Sequence, residues 1–316
     1  MGTPGSHNAT HALPQVLASG RWIHKDGDLV VASEIANPGM RGVLASQAAH
    51  VYESPHFAVF SLDDAIAVLH RLEPAAIDND IAELIAGELV RPGHVEVPRA
   101  FERCFAGMVL SSAPGPREAW RAFYDNTLSK LQQVALGSYP GRDSGPVAVF
   151  GRIYQHARAL VVGSSLLDVG TCFGFFPLLL QQSDPQLNVV ALDVSAPILE
   201  LARDAAVSRH RVGAVEFVCG DACSLPFADR SFDTVTALHV LEHLAPSSAT
   251  RTLQEMCRVA RCRVIVAVPM EEEADSAYDH VQRFDREGLI NLGEKTGWRC
   301  DFEDYLGGWV VLEPHE

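Results

Sequence analysis

The 316-residue chain has no block of lysine or arginine; 25 basic side chains face 40 acidic ones, a formal net charge of −15. A protein that grips phosphate backbones carries a basic patch, so nucleic acid is not an expected partner. No uncharged run reaches membrane-spanning length. The first residues, Met-Gly-Thr-Pro-Gly-Ser-His-Asn, have neither a charged n-region nor an apolar h-region. A soluble cytoplasmic protein is therefore expected. The seven cysteines do not pair into a metal framework, because Cys219-Gly-Asp-Ala-Cys223 lacks a second C-x-x-C. Cys172, Cys219, Cys257, Cys262 and Cys300 lie mostly in apolar contexts, and buried free thiols in a reducing cytosol are the expectation. No internal repeat is present, and the length suits one large or two modest domains.

Three segments emerge along the chain. Residues 1–97 are expected to form a small α+β accessory domain, with residues 1–18 disordered. Two apolar runs around Asp26-Gly27 mark a hairpin over Arg21–Val31. Residues 35–60 look irregular. Leu62–Leu72, with Asp63 and Asp64 favourable to the helix dipole, and Ile77–Leu89, ending near Pro92-Gly93, read as helices. Residues 98–145 form a helical cap and linker. Trp120, Phe123, Tyr124, Thr127, Leu128 and Leu131 follow amphipathic spacing, and Ser138–Gly145 is a Gly/Pro linker. Residues 146–316 alternate helices with apolar strands. A helix near 249–260 precedes a strand over Arg263–Val268 and a polar loop at 270–279. A helix near 285–297 and two strands, 299–304 and 308–313, close the segment.

Within that last segment, Leu166-Leu167-Asp168-Val169-Gly170-Thr171-Cys172-Phe173-Gly174-Phe175 reads as a strand ending in an acid, a glycine-bearing turn, then a helix. Ligands sit at such carboxyl ends of strands in doubly wound sheets. The pyrophosphate fingerprint G-x-G-x-x-G is not met, since Cys172 stands where a middle glycine is usual. Asp168 would repel a pyrophosphate but suits a ligand bearing an ammonium and a sulfonium. Asp193 ends the next strand, where a carboxylate can accept both ribose hydroxyls. Asp221 ends a third strand and can accept from an adenine amine. A fourth, Ser231–His239, runs into Val240-Leu241-Glu242-His243-Leu244.

This ordered series of strand ends resembles the class I S-adenosylmethionine-dependent methyltransferases over residues 146–316. The resemblance implies an α/β fold, a Rossmann-like doubly wound seven-stranded sheet with an antiparallel C-terminal strand. It also implies S-adenosyl-L-methionine as cofactor, held by Asp168, Gly170, Thr171, Cys172, Gly174, Asp193, Val194, Asp221, Ala222 and His239. Tyr124 and Thr127 join them from the preceding helices, which in this family often cover the methionine end. Cys172 departs from the family's glycine and puts the loop's detailed geometry in question.

A sharper resemblance rests on Ala122–Leu128, Thr236–Leu244 and Gly307–Glu313, together with Cys172. As a set they resemble the mycofactocin oligosaccharide methyltransferases, which are understood to O-methylate a glucose of the glycan on a peptide-derived redox cofactor. The likeness spans residues 98–316 and implies a sugar hydroxyl as acceptor.

A sugar hydroxyl needs a proton acceptor within hydrogen-bond reach before it attacks. The resemblance places His239 beside adenosyl group and acceptor, and His280 at the border of the acceptor pocket; a structural histidine is the competing reading for His280. Asp279 is positioned in sequence to orient His280. If a helix begins at His239, then His239, Glu242 and His243 share one face. That makes Glu242 and His243 weak metal candidates. Magnesium, which prefers carboxylates and water, is disfavoured, and helix bracing is the preferred reading of the pair. Tyr124 and Trp309 are core aromatics or sugar platforms, with core favoured for Trp309. The competing functions are O-methylation of another small molecule, an NAD-linked oxidoreductase, and a non-catalytic S-adenosylmethionine-binding protein. Neither acceptor position nor oligomeric state is set by sequence.

Overall fold

The computed structural model describes residues 20–208 and 215–315. The disorder expected for residues 1–18 lies outside the described residues. The chain divides into two compact units, residues 1–127 and 128–316. The division falls inside the helix Pro116–Ala135, within the segment 98–145 read from sequence as cap and linker.

The N-terminal unit is built on a five-stranded sheet. Its strands are β1 (Ile23–Asp26), β2 (Leu29–Ser33), β3 (His50–Glu53), β4 (Phe57–Ser61) and β5 (Ile66–His70), in the order β1-β2-β5-β4-β3. The expected hairpin is β1–β2, with Asp26 opposite Leu29. Two expectations fail. Residues 35–60 are not irregular: they hold helix α1 (Met40–Ala45) and strands β3 and β4. Leu62–Leu72 is not a helix, because Ile66–His70 is a central strand, parallel to β2 and antiparallel to β4. A continuous apolar run of five carries no period to separate a strand from a buried helix, and sheet neighbours on both sides decide it. Val30, Ala32, Ala58, Phe60, Ala67 and Leu69 of this sheet close over Met40 and Leu44 of α1. The helix read at Ile77–Leu89 is shorter. Helix α2 covers Ile81–Ile85 and continues as a π turn over Ala86–Val90. Helix α3 (Ala100–Leu110) packs against β1 and β2. Gly107 lets it approach closely, since a Cβ there would stand 2.4 Å from Val31 Cγ2.

Helix α4 is Pro116–Ala135. The C-terminal unit then continues as α5 (Pro146–Leu160), β6 (Ser165–Val169), α6 (Phe175–Ser183), β7 (Asn188–Asp193), α7 (Ala196–Ser208) and β8 (Val215–Cys219). After these come β9 (Phe232–Leu238), α8 (Pro246–Val259), β10 (Ala260–Val268), α9 (Arg286–Glu294), β11 (Arg299–Asp304) and β12 (Gly308–Glu313). The seven strands order as β11-β12-β10-β9-β6-β7-β8. The pairs β6–β7, β7–β8, β6–β9 and β9–β10 are parallel, whereas β12 runs antiparallel to both β10 and β11. This is the doubly wound sheet with an antiparallel C-terminal strand expected from sequence. Its order reverses beside β6, so the crevice for a ligand opens at the carboxyl ends of β6 and β9. Leu167, Val169, Val235, Ala237, Val264, Val266, Leu253 and Met256 form the core beneath that crevice. Trp309 is fully buried and its indole N–H donates to Tyr305 O at 2.7 Å, a core aromatic as expected. No helix among the described residues is long and apolar enough to cross a membrane.

Candidate functional site

Register builds the site's first corner. Asp168 on β6 pairs opposite Thr236 on β9, so the threonine hydroxyl donates to Asp168 Oδ1 at 2.7 Å. Burial pushes the Asp168 carboxyl up to about 6, while the Thr236 and Thr171 hydroxyls hold it down. The loop that follows needs left-handed backbone at three positions: Gly170 (φ 68°), Cys172 (φ 49°) and Gly174 (φ 69°). At Gly170 a Cβ would stand 2.6 Å from Val240 Cγ2, so only glycine fits. Cys172 takes the same region with a side chain, a conformation disfavoured by about 1–2 kcal/mol for an L-residue. Cys172 is exposed as a residue, though burial of its thiol pushes it up to about 12; Cys219 and Cys262 are exposed as well. This corrects the expectation of buried thiols, which holds for Cys257.

The Asp193 carboxylate clamps this loop. Its Oδ2 accepts the Cys172 N–H at 2.8 Å and its Oδ1 accepts the Ser195 N–H at 2.9 Å. Each oxygen keeps a second lone pair for a ligand donor. Adjacent strand ends are stitched together as well: the Thr171 N–H donates to Leu192 O at 3.0 Å, and the Gly220 N–H to Asp193 O at 3.0 Å. Val194 is 76% exposed beside them. Asp221 is exposed and its Oδ1 accepts the Cys223 N–H at 2.8 Å, shaping the turn that carries Ala222.

The opposite wall is a histidine cluster at the ends of β9 and β10. His239 follows β9 with φ 57°, and its N–H donates to Ala267 O at 2.9 Å. Its ring centroid lies 5.1 Å from that of Phe150, and its Nδ1 is 3.4 Å from Glu242 Oε1. Burial, then the neighbouring His280 and His243, pull His239 down to about 4, which keeps its imidazole neutral. Burial pushes Glu242 up to about 8, and the Glu271 carboxylate adds to the rise. His243 is also lowered, first by burial and then by His280. The His243 and His280 rings stand edge to face with centroids 4.9 Å apart. The continuous helix that would align His239, Glu242 and His243 is not formed. A 3-10 turn covers Leu241–His243, and α8 starts only at Pro246.

Residues 167–268 match the family described as a methyltransferase domain, and the sheet order and strand-end acids agree with that match. Residues 167–268 are a methyltransferase domain. The chain is similar to a demethylmenaquinone methyltransferase of Beutenbergia cavernae, 30% identical over 41% of this chain and 65% of the relative. It is also similar to the demethylmenaquinone methyltransferase of Thermotoga maritima, at 36% identity over 30% of this chain and 38% of the relative. The biotin biosynthesis bifunctional protein BioHC of Cellvibrio japonicus is 28% identical over 48% of this chain and 31% of its own. A solved structure of an S-adenosylmethionine-dependent methyltransferase from Aquifex aeolicus is 20% identical, with TM-score 0.41, covering 51% of this chain and 86% of that one. The chain thus spans 31% of the BioHC protein and 38% of the Thermotoga enzyme.

Methyltransferase domains of this class use S-adenosylmethionine, and the residues present fit it. The Gly170 cradle, which a Cβ would fill, the buried Asp168 and the outward lone pairs of Asp193 give a floor of small residues and acids. The structure gathers Asp168, Gly170, Thr171, Cys172, Gly174, Asp193 and Val194 around the ends of β6 and β7. Asp221 and Ala222 follow β8. His239, His243 and His280 gather at β9 and β10. Tyr124 and Thr127 belong to the N-terminal unit. Tyr124 packs edge to face on Phe123, and the Thr127 hydroxyl accepts the Asn79 N–H at 3.1 Å.

Two participants were missed by sequence. Glu271 pairs with His280 Nδ1, at 2.9 Å; the acidic run Glu271-Glu272-Glu273 after β10 was the available signal. Phe150, on the apolar face of α5, carries no pattern that would single it out.

Proposed function

We propose that the protein transfers the methyl group of S-adenosylmethionine to a hydroxyl oxygen of a sugar on a glycosylated metabolite, of the mycofactocin oligosaccharide type. The observation that carries this reading is the histidine cluster beside the crevice. Transfer to oxygen needs a group that accepts the hydroxyl proton, and His239 lies at the end of β9 next to the Gly170 loop. The cofactor supplies a methyl group already activated on a sulfonium. Asp168 faces its ammonium, Asp193 its ribose and Asp221 its adenine. The rest of the domain's task is to hold the acceptor oxygen in line with the methyl carbon and exclude water. The aromatic ring of Phe150 and the imidazoles give one wall of an acceptor pocket. The outer sequence likenesses at Ala122–Leu128 and Gly307–Glu313 support the glycan acceptor.

The test is mass spectrometry of glucose-bearing acceptors, of mycofactocin-type oligosaccharide and of a demethylmenaquinone-type acceptor after incubation with the protein and S-adenosylmethionine. A sugar product one methyl heavier is expected. Methylation of the quinone-type acceptor alone would refute the sugar reading, and no methylation with tight cofactor binding would favour a binding protein. His239→Ala should lower turnover by about 10²–10⁴ while cofactor affinity stays within a factor of a few. Unchanged turnover would remove His239 from the chemistry.

A further inference from the structure

Glu242 is 1% exposed, and neither of its carboxylate oxygens has a hydrogen-bond partner. Buried polar groups are paired as a rule, and a lone buried carboxylate is costly. Glu242 is nevertheless held in place firmly. The N–H groups of Val281 and Gln282 donate to its carbonyl at 2.9 and 3.3 Å. The Gln282 side-chain amide donates to Leu241 O at 2.9 Å and Leu244 O at 2.6 Å. These four bonds lock the turn after β9 to the segment after β10, which carries His280. One ligand atom from each of Glu242, His243 and His280 lies within 4.8 Å of the others. Glu271 holds His280 Nδ1 at 2.9 Å, which leaves Nε2 for a ligand. A carboxylate that fixes one nitrogen of a histidine while the other faces an ion is the usual outer support of a metal site.

We infer that Glu242, His243 and His280 bind a divalent first-row transition-metal ion, with Glu271 positioning His280. Two imidazoles and one carboxylate suit manganese, iron, cobalt or zinc and leave coordination positions open. They suit magnesium poorly, since it favours oxygen ligands and keeps its waters. The cation supplies the close partner that the Glu242 oxygens lack, the nearest group being His239 Nδ1 at 3.4 Å from Oε1. Donors within 4.8 Å of one another are near enough to share one ion, which imidazole nitrogen and carboxylate oxygen approach to ~2.0–2.2 Å. The assignment does not rest on the methyltransferase reading, because it concerns a buried carboxyl without a hydrogen bond and two imidazoles whatever the acceptor is.

Manganese(II) is the probe, since the exposed cysteines Cys219 and Cys262 would compete for zinc. The full chain, stripped with chelator, is titrated while electron paramagnetic resonance follows the free-ion signal. That readout is independent of turnover, so it separates failure of the metal site from failure of the proposed activity. One equivalent of signal should disappear. Glu242→Gln and His280→Ala should each weaken binding at least about tenfold, and Glu271→Gln by roughly 10–100-fold. Thermal unfolding checks that each variant is folded; should the first two not fold, Glu271→Gln and His243→Gln carry the comparison. Retention of the full free-ion signal by the wild-type chain would overturn the inference. So would equal affinity in the folded variants.

Discussion

Replacing Gly170 with alanine tests whether the turn after β6 is shaped by contact with the turn after β9. Two costs add. An L-residue at φ 68° is strained by about 1–2 kcal/mol. The new methyl would stand 2.6 Å from Val240 Cγ2 and 2.9 Å from Cγ1, and overpacking of this kind costs about 1–3 kcal/mol. The sum is a loss of roughly 2–5 kcal/mol in the C-terminal unit. Val240→Ala removes the clashing methyls but not the backbone strain. The double variant should therefore recover about 1–3 kcal/mol relative to the sum of the single changes. Hydrogen exchange on peptides covering β6 and β9 reads this unit's stability separately from its neighbour. S-adenosylmethionine calorimetry on the same variants reports the loop's fitness for ligand. Additivity within about 0.5 kcal/mol, or a Gly170→Ala protein as stable as the parent, would refute the contact.

Two further outcomes follow from the same geometry. Asp193→Ala leaves the Cys172 and Ser195 N–H groups without their acceptor and removes the carboxylate proposed for the ribose; calorimetry should show at least about a tenfold loss of S-adenosylmethionine affinity, and unchanged affinity would break the map of the cofactor site. In the N-terminal unit, buried His70 is lowered to about 4, first by desolvation, with Ser111 opposing. The unfolded chain therefore binds the proton more readily, so stability present above the ordinary value near 6.5 drains away as pH falls toward 4. The loss is about 3 kcal/mol in all, and His70→Asn should flatten it in hydrogen exchange on β5 peptides.

Sequence alone determined the C-terminal half because its information is local and repeated. Each apolar run from β6 to β9 ends in a polar residue whose spacing mirrors one strand–loop unit, and a parallel sheet places those ends on one edge. Asp168, Asp193 and Asp221 were legible for that reason, as was the antiparallel β12 after Leu306-Gly307-Gly308. Glycine at 170 and 174 announced backbone that other residues adopt only with strain, and Cys172 proved to share it.

Tertiary structure decided the rest, where identity depends on a neighbour far away in the chain. Ile66–His70 became a strand because β2 and β4 flank it; Asp63 and Asp64, read as a helix start, mark only the approach to it. His239 left the helical face expected for it because its N–H is bound by Ala267 on the next strand, which fixes a left-handed turn. Glu271 meets His280 nine positions further on, across a loop with one short 3-10 turn and no period to reveal the contact. Glu242 comes within 4.8 Å of His243 and His280 because Gln282 ties the segment after β10 to the turn after β9. Periodic patterns record which face of an element is buried. They carry no record of which loops meet, since loop contacts are set by the sheet order that brings distant strand ends together.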